Sequence, residues 1–518
     1  MEGLVNFLNN FLWGPWFIYG ILLVGLFFSI ITRFLQVRHI KDMFALMFKG
    51  KKSEKGISSF QALSIALSGR VGTGNIAGTA TAIAMGGPGA VFWMWAIAFI
   101  GAATAYIEST LAQIYKVEKE TEYRGGPAYY IEKGMGQKWF AVIFAVSALI
   151  AMLILMPGVQ SNAIAGAVEN AFGIETWITG LIIVVLLGSI IIGGVKWIAN
   201  AAQIIVPFMA LAYVLMAIII VAFNISEVPH VFGLIFSSAF GAQEIFGGII
   251  GSAIAWGVKR GIYSNEAGQG TGAHPAAAAE VSHPAKQGLV QAASVYIDTL
   301  LVCSATAFMI LFTGMYNVHD EGKDKVQVMV DGEPLVVNNE PYTIYPTIFT
   351  GEFGKGEYTG DAQISYAQSI KEGAAYTQHA VNESLPGFGS GFVAIALFFF
   401  AFTTIMAYYY IAETNVAYLT SGGVEKIAIW LAKIAILIAA FYGTIRTSYL
   451  AWAWGDVGLG LMVWINVIAI LIIMKPALLA LKDYEKQKKE GKDPVFDPRK
   501  LGIKGADFWV KYNDDRKD

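Results

Sequence analysis

QALSIALSGRVGTGNIAGTATAIAMGGPGA, residues Gln61 to Ala90, is the stretch on which the reading of this chain turns. It is long and apolar enough to cross a bilayer, yet Gly69, Gly72, Gly74 and Gly78 interrupt it. Each glycine costs an interior helix about 1 kcal/mol relative to alanine. Ser68, Thr73 and Asn75 add polar groups where lipid-facing residues should be apolar. The middle is therefore expected to lose its helical winding. Within a membrane an unwound segment frees backbone carbonyls for a cation and N–H groups for an anion, and it is tolerated only inside protein or beside a water-filled cavity. The stretch reads as half of a substrate and ion site.

The rest of the chain supplies the membrane setting. Of 518 residues, 56% are hydrophobic and 14% charged, with a mean hydropathy of +0.55, which is far too oily for a soluble domain. Apolar runs at 14–35, 60–84, 89–115, 139–160, 174–194, 200–223, 242–262, 287–316, 390–419, 425–445 and 452–475 give eleven candidate crossings of an all-α polytopic membrane protein. Basic residues collect in alternate loops: Arg33, Arg38, Lys41, Lys49, Lys51, Lys52 and Lys55 after the first run, Lys116, Lys119, Arg124, Lys133 and Lys138 after the third, then Lys196, Lys259, Arg260, Lys286 and Lys426. The positive-inside rule then sets the N-terminus outside the cell membrane and the Lys-rich tail (Lys482, Lys486, Lys488, Lys489) in the cytoplasm. A net charge of -2 offers no field for nucleic acid. Glu2 and the lack of a basic leading segment argue against a cleaved signal peptide. Cys303, the single cysteine, lies in an apolar run without a partner at ligand spacing and reads as an inert buried thiol.

A second interrupted helix is expected at Phe246–Ile262, where Gly247, Gly248, Gly251, Gly257 and Gly261 recur. It lies five crossings after the first. Five is odd, so a five-helix repeat would return inverted, as in transporters that bind at the midplane between repeats. The competing reading of these glycines is close packing of the GxxxG kind.

Three motifs then point to a family. GGPGAVFWMW (Gly86–Trp95), SGRVGTGNIAG (Ser68–Gly78) and SNEAGQG (Ser264–Gly270) together resemble the alanine or glycine:cation symporter family, sodium-coupled carriers of small neutral amino acids with a LeuT-type fold. The resemblance implies one extra N-terminal helix followed by a five-plus-five inverted repeat with two broken helices. The chain then divides into 1–59 (extra helix and loop), 60–223 (first repeat), 224–315 (start of the second), 316–388 (outer insertion), 389–476 (remaining helices) and 477–518 (tail). By position, the backbone N–H groups of Thr73 and Gly74 would hold the substrate carboxylate at a half-helix N-terminus. The carbonyls of Ser68, Val71 and Phe400, with the hydroxyls of Thr403 and Thr404, would hold Na⁺ as the coupling ion. Back-bonding to the preceding turn is the alternative for the threonines. The implied partners are a small neutral amino acid, Na⁺ and membrane lipid, with no organic cofactor.

Other residues are placed by their own chemistry. Arg70 stands in the unwound run where many such carriers have a small residue, and a buried arginine must be paired. Glu108 and Glu266 are candidate partners, and solvation in a cytoplasmic vestibule is the alternative. Asn75 could take a second cation or the substrate amine, or cap the following half-helix. Gly248, Gly251 and Ser252 would line the substrate side chain, with bulk from Trp256 or Phe246. SNEAGQGTGAHP (Ser264–Pro275) suits a cytoplasmic gate, with Glu266 pairing with Arg70 or Arg260, or simply a helix end and turn. In the long loop, Val326–Val337 signals a hairpin turning at Asp331-Gly332. The tail is expected to be solvated rather than docked through Phe508 and Trp509.

Function follows as alanine or glycine uptake with Na⁺ by alternating access. A proton-coupled or other amino acid carrier is the alternative, and a cation channel a more distant one. No GxxxxGK[ST] motif, catalytic triad or metal-hydrolase signature occurs, so an enzyme is not expected. The particular amino acid, its stereochemistry, Na⁺ against H⁺, the ion count, the oligomeric state and the role of the insertion are not fixed by these residues.

Overall fold

The computed structural model describes residues 2–49, 56–119, 122–242, 250–319, 373–446 and 448–515, together with short paired strands between 326 and 350. Among the described residues eight helices are long and apolar enough to cross a bilayer: Gly3–Ile31, Gly89–Ile114, Lys138–Phe172, Val195–Phe223, Pro284–Thr313, Gly389–Leu419, Gly422–Thr444 and Ala451–Ile473. Thr176–Ile191 is a shorter apolar helix. The two further expected crossings fall on helices that are shorter or interrupted. The chain is a multi-pass membrane protein built almost wholly of helix.

Its burial pattern is that of a bundle in lipid. Large side chains such as Val185, Ile204, Phe208 and Leu211 face outward, where hydrocarbon rather than water can receive them. Polar groups including Arg70, Glu108, Gln160, Gln291 and Asp298 are buried instead. Polar groups facing inward and apolar groups facing outward identify the bundle interior as the functional volume.

The first interruption is where it was expected, though shorter. A capping box between Ser58 and Gln61 starts helix Ser59–Arg70, and the winding stops at Val71 (φ -79°, ψ 83°). The chain resumes as a π-turn, Gly74–Gly78, and continues as helix Thr79–Gly86.

A further interruption follows the second glycine-rich run. Helix Ile250–Asn265 runs unbroken past Gly251, Gly257 and Gly261, while Phe246, Gly247 and Gly248 lie outside the described residues. A Cβ on Gly257 would come within 2.5 Å of the Ala90 carbonyl oxygen, and one on Gly261 within 2.5 Å of Ile97 Cγ2. These two glycines admit helix Gly89–Ile114 at close range, so packing, not unwinding, explains them. The break comes at Glu266–Gly272, where Glu266 (φ 56°), Gly268 (φ 86°) and Gly270 (φ 80°) are left-handed, before the short helix Ala273–Ala278. Ser264–His274 is accordingly buried inside the bundle and is not an exposed loop beyond it.

The insertion and tail also revise expectation. Met329–Val330 pairs antiparallel with Glu333–Pro334, with Val330 opposite Glu333, and the Asp331-Gly332 turn itself lies outside the described residues. The expected outer arms part company: Val326–Gln327 pairs with Thr343–Ile344, and Val336–Val337 with Glu340–Pro341. The tail is docked, not solvated. Trp509 is fully buried and its Nε1 donates to the Gln113 carbonyl at 2.8 Å. Lys116 Nζ sits beneath three tail and loop rings, Tyr123, Phe508 and Trp509, at 4.5–5.2 Å. Such cation–π contacts fix a tail that composition alone left free.

Candidate functional site

The two interruptions meet. A Cβ on Gly74 would lie 3.1 Å from Tyr263 Cδ1 and 3.2 Å from the Ser264 Cα, and one on Gly69 would lie 3.1 Å from Glu266 Oε2. Glycine at both positions lets one backbone approach the other, so the unwound carbonyls and N–H groups of both helices share one interior region.

Five residues expected to hold a cation converge there. Thr404 Oγ1, on helix Gly389–Leu419, lies 2.8 Å from the Ser68 carbonyl, 2.9 Å from that of Phe400 and 3.5 Å from that of Val71. Thr403 Oγ1 donates to the Phe400 carbonyl at 3.0 Å. One hydroxyl carries one proton, so it can satisfy only one of three carbonyls aimed at it. Back-bonding to Phe400 therefore coexists with a surplus of neutral oxygen acceptors. Uncharged carbonyl and hydroxyl oxygens around one point are the donor set that a hard monovalent cation requires.

Beside it, the Thr73 N–H donates to Gln160 Oε1 at 3.0 Å, and Gln160 Nε2 lies 3.5 Å from the Tyr408 hydroxyl. The side-chain amide thus presents a planar acceptor to the N–H assigned to a substrate carboxylate. Sequence reading missed Gln160 and Tyr408. The usable signal was the polar run Gln160-Ser161-Asn162 inside a crossing, since polar groups at that depth are expensive.

Asn75 proves to be a fixed link. Its Oδ1 accepts the Gly72 N–H at 2.8 Å, and its Nδ2 donates to Asp298 Oδ1 at 2.6 Å. The oxygen thus closes the unwound turn on its upstream side, and the expected cap of the following half-helix is not made. Asp298, also missed, takes Ser264 Oγ within 3.1 Å and Thr299 Oγ1 at 2.7 Å. Cys303, buried as expected, sits in this polar cluster, its Sγ 3.1 Å from Ser264 Oγ and 3.3 Å from Asn75 Nδ2.

The expected gate pair does not form as drawn. Arg70, 1% exposed, hydrogen bonds to the Gln291 carbonyl and side chain at 3.3 Å and to Ser294 Oγ, so it is not solvated in a vestibule. Among the described residues no carboxylate approaches it within 4 Å. Glu266 Oε2 accepts from Thr271 Oγ1 at 2.7 Å, and Arg260 pairs with Asp456 at 3.2 Å. Glu108 instead holds the second break: its Oε2 accepts the Gly270 N–H at 3.0 Å and Asn466 Nδ2 at 2.8 Å, while the same nitrogen reaches the Gly268 carbonyl at 2.9 Å.

The expected side-chain pocket is likewise displaced. Ser252 Oγ donates to the Met85 carbonyl at 2.7 Å, Gly251 is exposed with open space at its Cβ position, and Trp256 lies against Lys259 and Arg260. Twelve residues of helix separate Ser252 from Ser264, about 18 Å at 1.5 Å per residue. Gly248 lies outside the described residues. Tyr263 and Ser264 are the residues that face the first break.

Comparison with known proteins follows the same lines. The sodium:alanine symporter family matches residues 1–335 and 359–498. A Bacillus subtilis (strain 168) protein named "Putative sodium/proton-dependent alanine carrier protein YrbD" is 64% identical over 511 residues, covering 99% of this chain and 98% of its own length. The sodium/proton-dependent alanine carrier protein of Bacillus sp. (strain PS3) is 54% identical over 90% of this chain and 97% of its own. The sodium/alanine symporter AgcS of Methanococcus maripaludis is 36% identical over 95% of this chain and 99% of its own.

Proposed function

We propose that this chain, which belongs to the sodium:alanine symporter family, carries alanine and similar small neutral amino acids such as glycine across the cell membrane in symport with Na⁺. The observation that carries the reading is the excess of acceptors at Thr404, where three backbone carbonyls converge on one hydroxyl. Na⁺ would sit among the oxygens of Ser68, Val71, Phe400, Thr403 and Thr404, with Thr404 turning its lone pairs inward. The zwitterion would lie alongside, its carboxylate taking the Thr73 and Gly74 N–H groups, with Gln160 Oε1 yielding its place at Thr73. The helix dipole at the resumed half-helix favours that charge. Tyr263 and Ser264 then bound the side chain, replacing Gly251, Ser252 and Trp256 in that role.

In this reading the architecture is a LeuT-type fold of eleven crossings: an extra helix within 1–59, one repeat at 60–223, and its inverted partner divided by the 316–388 insertion. Two interrupted helices that touch at their breaks support it, since inverted repeats bring such helices together at the midplane. The alternation of basic loops supports an outer N-terminus and a cytoplasmic tail. The driving force is adequate without ATP. A tenfold Na⁺ gradient supplies about 1.4 kcal/mol, and a potential of 100 mV about 2.3 kcal/mol per charge.

Counterflow of labelled alanine in proteoliposomes tests the proposal. Exchange accelerated by Na⁺, and accumulation driven by an inward Na⁺ gradient, are expected; a sodium-conducting protein without alanine exchange would overturn it.

A further inference from the structure

We infer that Asp298 is the seat of a coupling proton: its carboxylate, set between the two interrupted helices, takes H⁺ on one side of the membrane and returns it to water on the other. This rests on the symport reading above and assigns a second charge to the same cycle.

Position comes first. Asp298 is fully buried on the π-turn Tyr296–Cys303, and it touches Asn75 of the first interrupted helix and Ser264 of the second. A change of charge at this one carboxylate is felt by both moving parts at once. Among the described residues neither Glu108 nor Glu266 hydrogen bonds through its carboxylate to the first interrupted helix, although Glu266 lies against Gly69. Glu108 is held by N–H groups of Gly270 and Asn466, which can only donate. Glu266 takes Thr271 Oγ1 within its own break.

The chemistry around Asp298 suits a proton better than a metal. Asn75 turns its Nδ2, a donor, toward the carboxylate, while its Oδ1 is held on the other side by the Gly72 N–H. The remaining neighbours are two hydroxyls and the Cys303 thiol, and sulfur is a poor ligand for a hard cation. The hydroxyls of Ser264 and Thr299, by contrast, can reverse. They donate to Oδ2 when it is ionised, and one accepts when it carries hydrogen. The O–H bond therefore forms at Oδ2 with a proton drawn from water, and breaks when that proton is released to water across the membrane.

Charge balance asks for the same. Arg70 is within electrostatic reach of Glu266, Glu108 and Asp298, and all four residues are at most 2% exposed. One guanidinium faces three carboxylates. Outside this set, Lys259 and Arg260 share Asp456 at 2.6 and 3.2 Å, a group that keeps one positive charge of its own. A buried carboxylate without a counter-charge is strongly disfavoured. Within this set, Arg70, one Na⁺ at Thr404 and one proton at Asp298 would offset the three carboxylates.

The experiment uses the full chain in proteoliposomes with the voltage clamped and Na⁺ equal on both sides. An alkaline interior one pH unit above the outside should accumulate labelled alanine about tenfold, the equivalent of one proton per alanine. Asp298→Asn should cut that pH-driven accumulation below twofold, and Thr299→Val should move the pH midpoint of alanine binding, with folding of both checked by thermal melting. In weakly buffered detergent solution, alanine binding to the wild type should take up or release protons, and binding to Asp298→Asn should not. Wild-type accumulation under a Na⁺ gradient but none under the pH gradient overturns the inference alone. So does pH-driven accumulation that survives in Asp298→Asn, or a Na⁺ stoichiometry that falls from two to one in that variant. No accumulation of alanine under either gradient would instead overturn the symport reading beneath it.

Discussion

At the scale of single residues, the proposed coupling site depends on one oxygen whose loss is nearly isosteric. Thr404→Val keeps the shape but removes the hydroxyl shared by the Ser68, Phe400 and Val71 carbonyls. If that hydroxyl is a Na⁺ ligand, uptake measured against Na⁺ concentration should show a half-saturation raised at least tenfold, about 1.4 kcal/mol, with a smaller change in alanine KM at saturating Na⁺. An unchanged half-saturation would leave Thr404 as a back-bonded helix residue only. Gln160→Ala should act on alanine instead, lowering its KM severalfold, because the Thr73 N–H no longer has to leave Gln160 before the substrate carboxylate takes it, and this is read in the same assay at fixed Na⁺. That Ser68, Val71, Phe400, Thr403 and Thr404 come together was legible through the family resemblance, position by position. Gln160 and Asp298 were not, because other polar residues share their crossings and the partners that define them, Thr73 and Asn75, lie over 80 and over 220 residues away in sequence. Spacing along one helix carries no record of such pairings.

At the scale of elements, glycines divide into those that admit a neighbour and those that bend the chain, and composition alone does not separate them. Gly257 and Gly261 belong to the first kind, Gly268 and Gly270 to the second. Gly257→Val should push helix Ile250–Asn265 away from the Ala90 carbonyl, an overpacking cost of about 1–3 kcal/mol, and lower the thermal melting temperature in detergent. Gly251→Ala, with open space at its Cβ position, should melt with the parent protein. Equal melting of the two variants would return Gly257 to the pool of replaceable residues. The first break was legible at Val71–Gly72 because Ser68, Thr73 and Asn75 surround it with polar groups. The second, at Glu266–Gly272, was not, since that run was read as a gate or as a helix end and turn after the crossing. A polar, glycine-rich run is equally compatible with a turn in water and with an unwound segment whose polar groups are satisfied inside protein.

At the scale of the whole molecule, the tail underpins the region where both interrupted helices begin or end. Ile57, just before the first, exchanges backbone hydrogen bonds with Ala278 and Glu280, just after the second. The tail is fastened to that bridge: Phe496 N–H donates to the Ser282 carbonyl, Tyr512 to Glu280 Oε1 at 2.9 Å and Trp509 to the Gln113 carbonyl. Helix Lys475–Lys489 adds charge pairs, with Glu485 taking Arg38 at 2.8 Å and His39 at 2.9 Å, and Asp42 taking Lys488 and His39. Burial pushes the Glu485 and Asp42 carboxyls up, but their basic partners outweigh it and hold both below the ordinary carboxylate range. A carboxylate depressed on folding contributes stability that is complete above its unfolded value, about 4, and is lost as pH falls through the lower folded value. The tail should thus stay anchored between pH 5 and 8 and loosen only in stronger acid, seen as limited proteolysis within 490–515 that begins below about pH 4. Trp509→Ala removes a fully buried indole and should cost about 3–5 kcal/mol, opening the same cleavage at neutral pH. Cleavage that is absent in that variant, or that has no acid threshold in the parent, would mean that the charge pairs and the indole do not hold the tail in place.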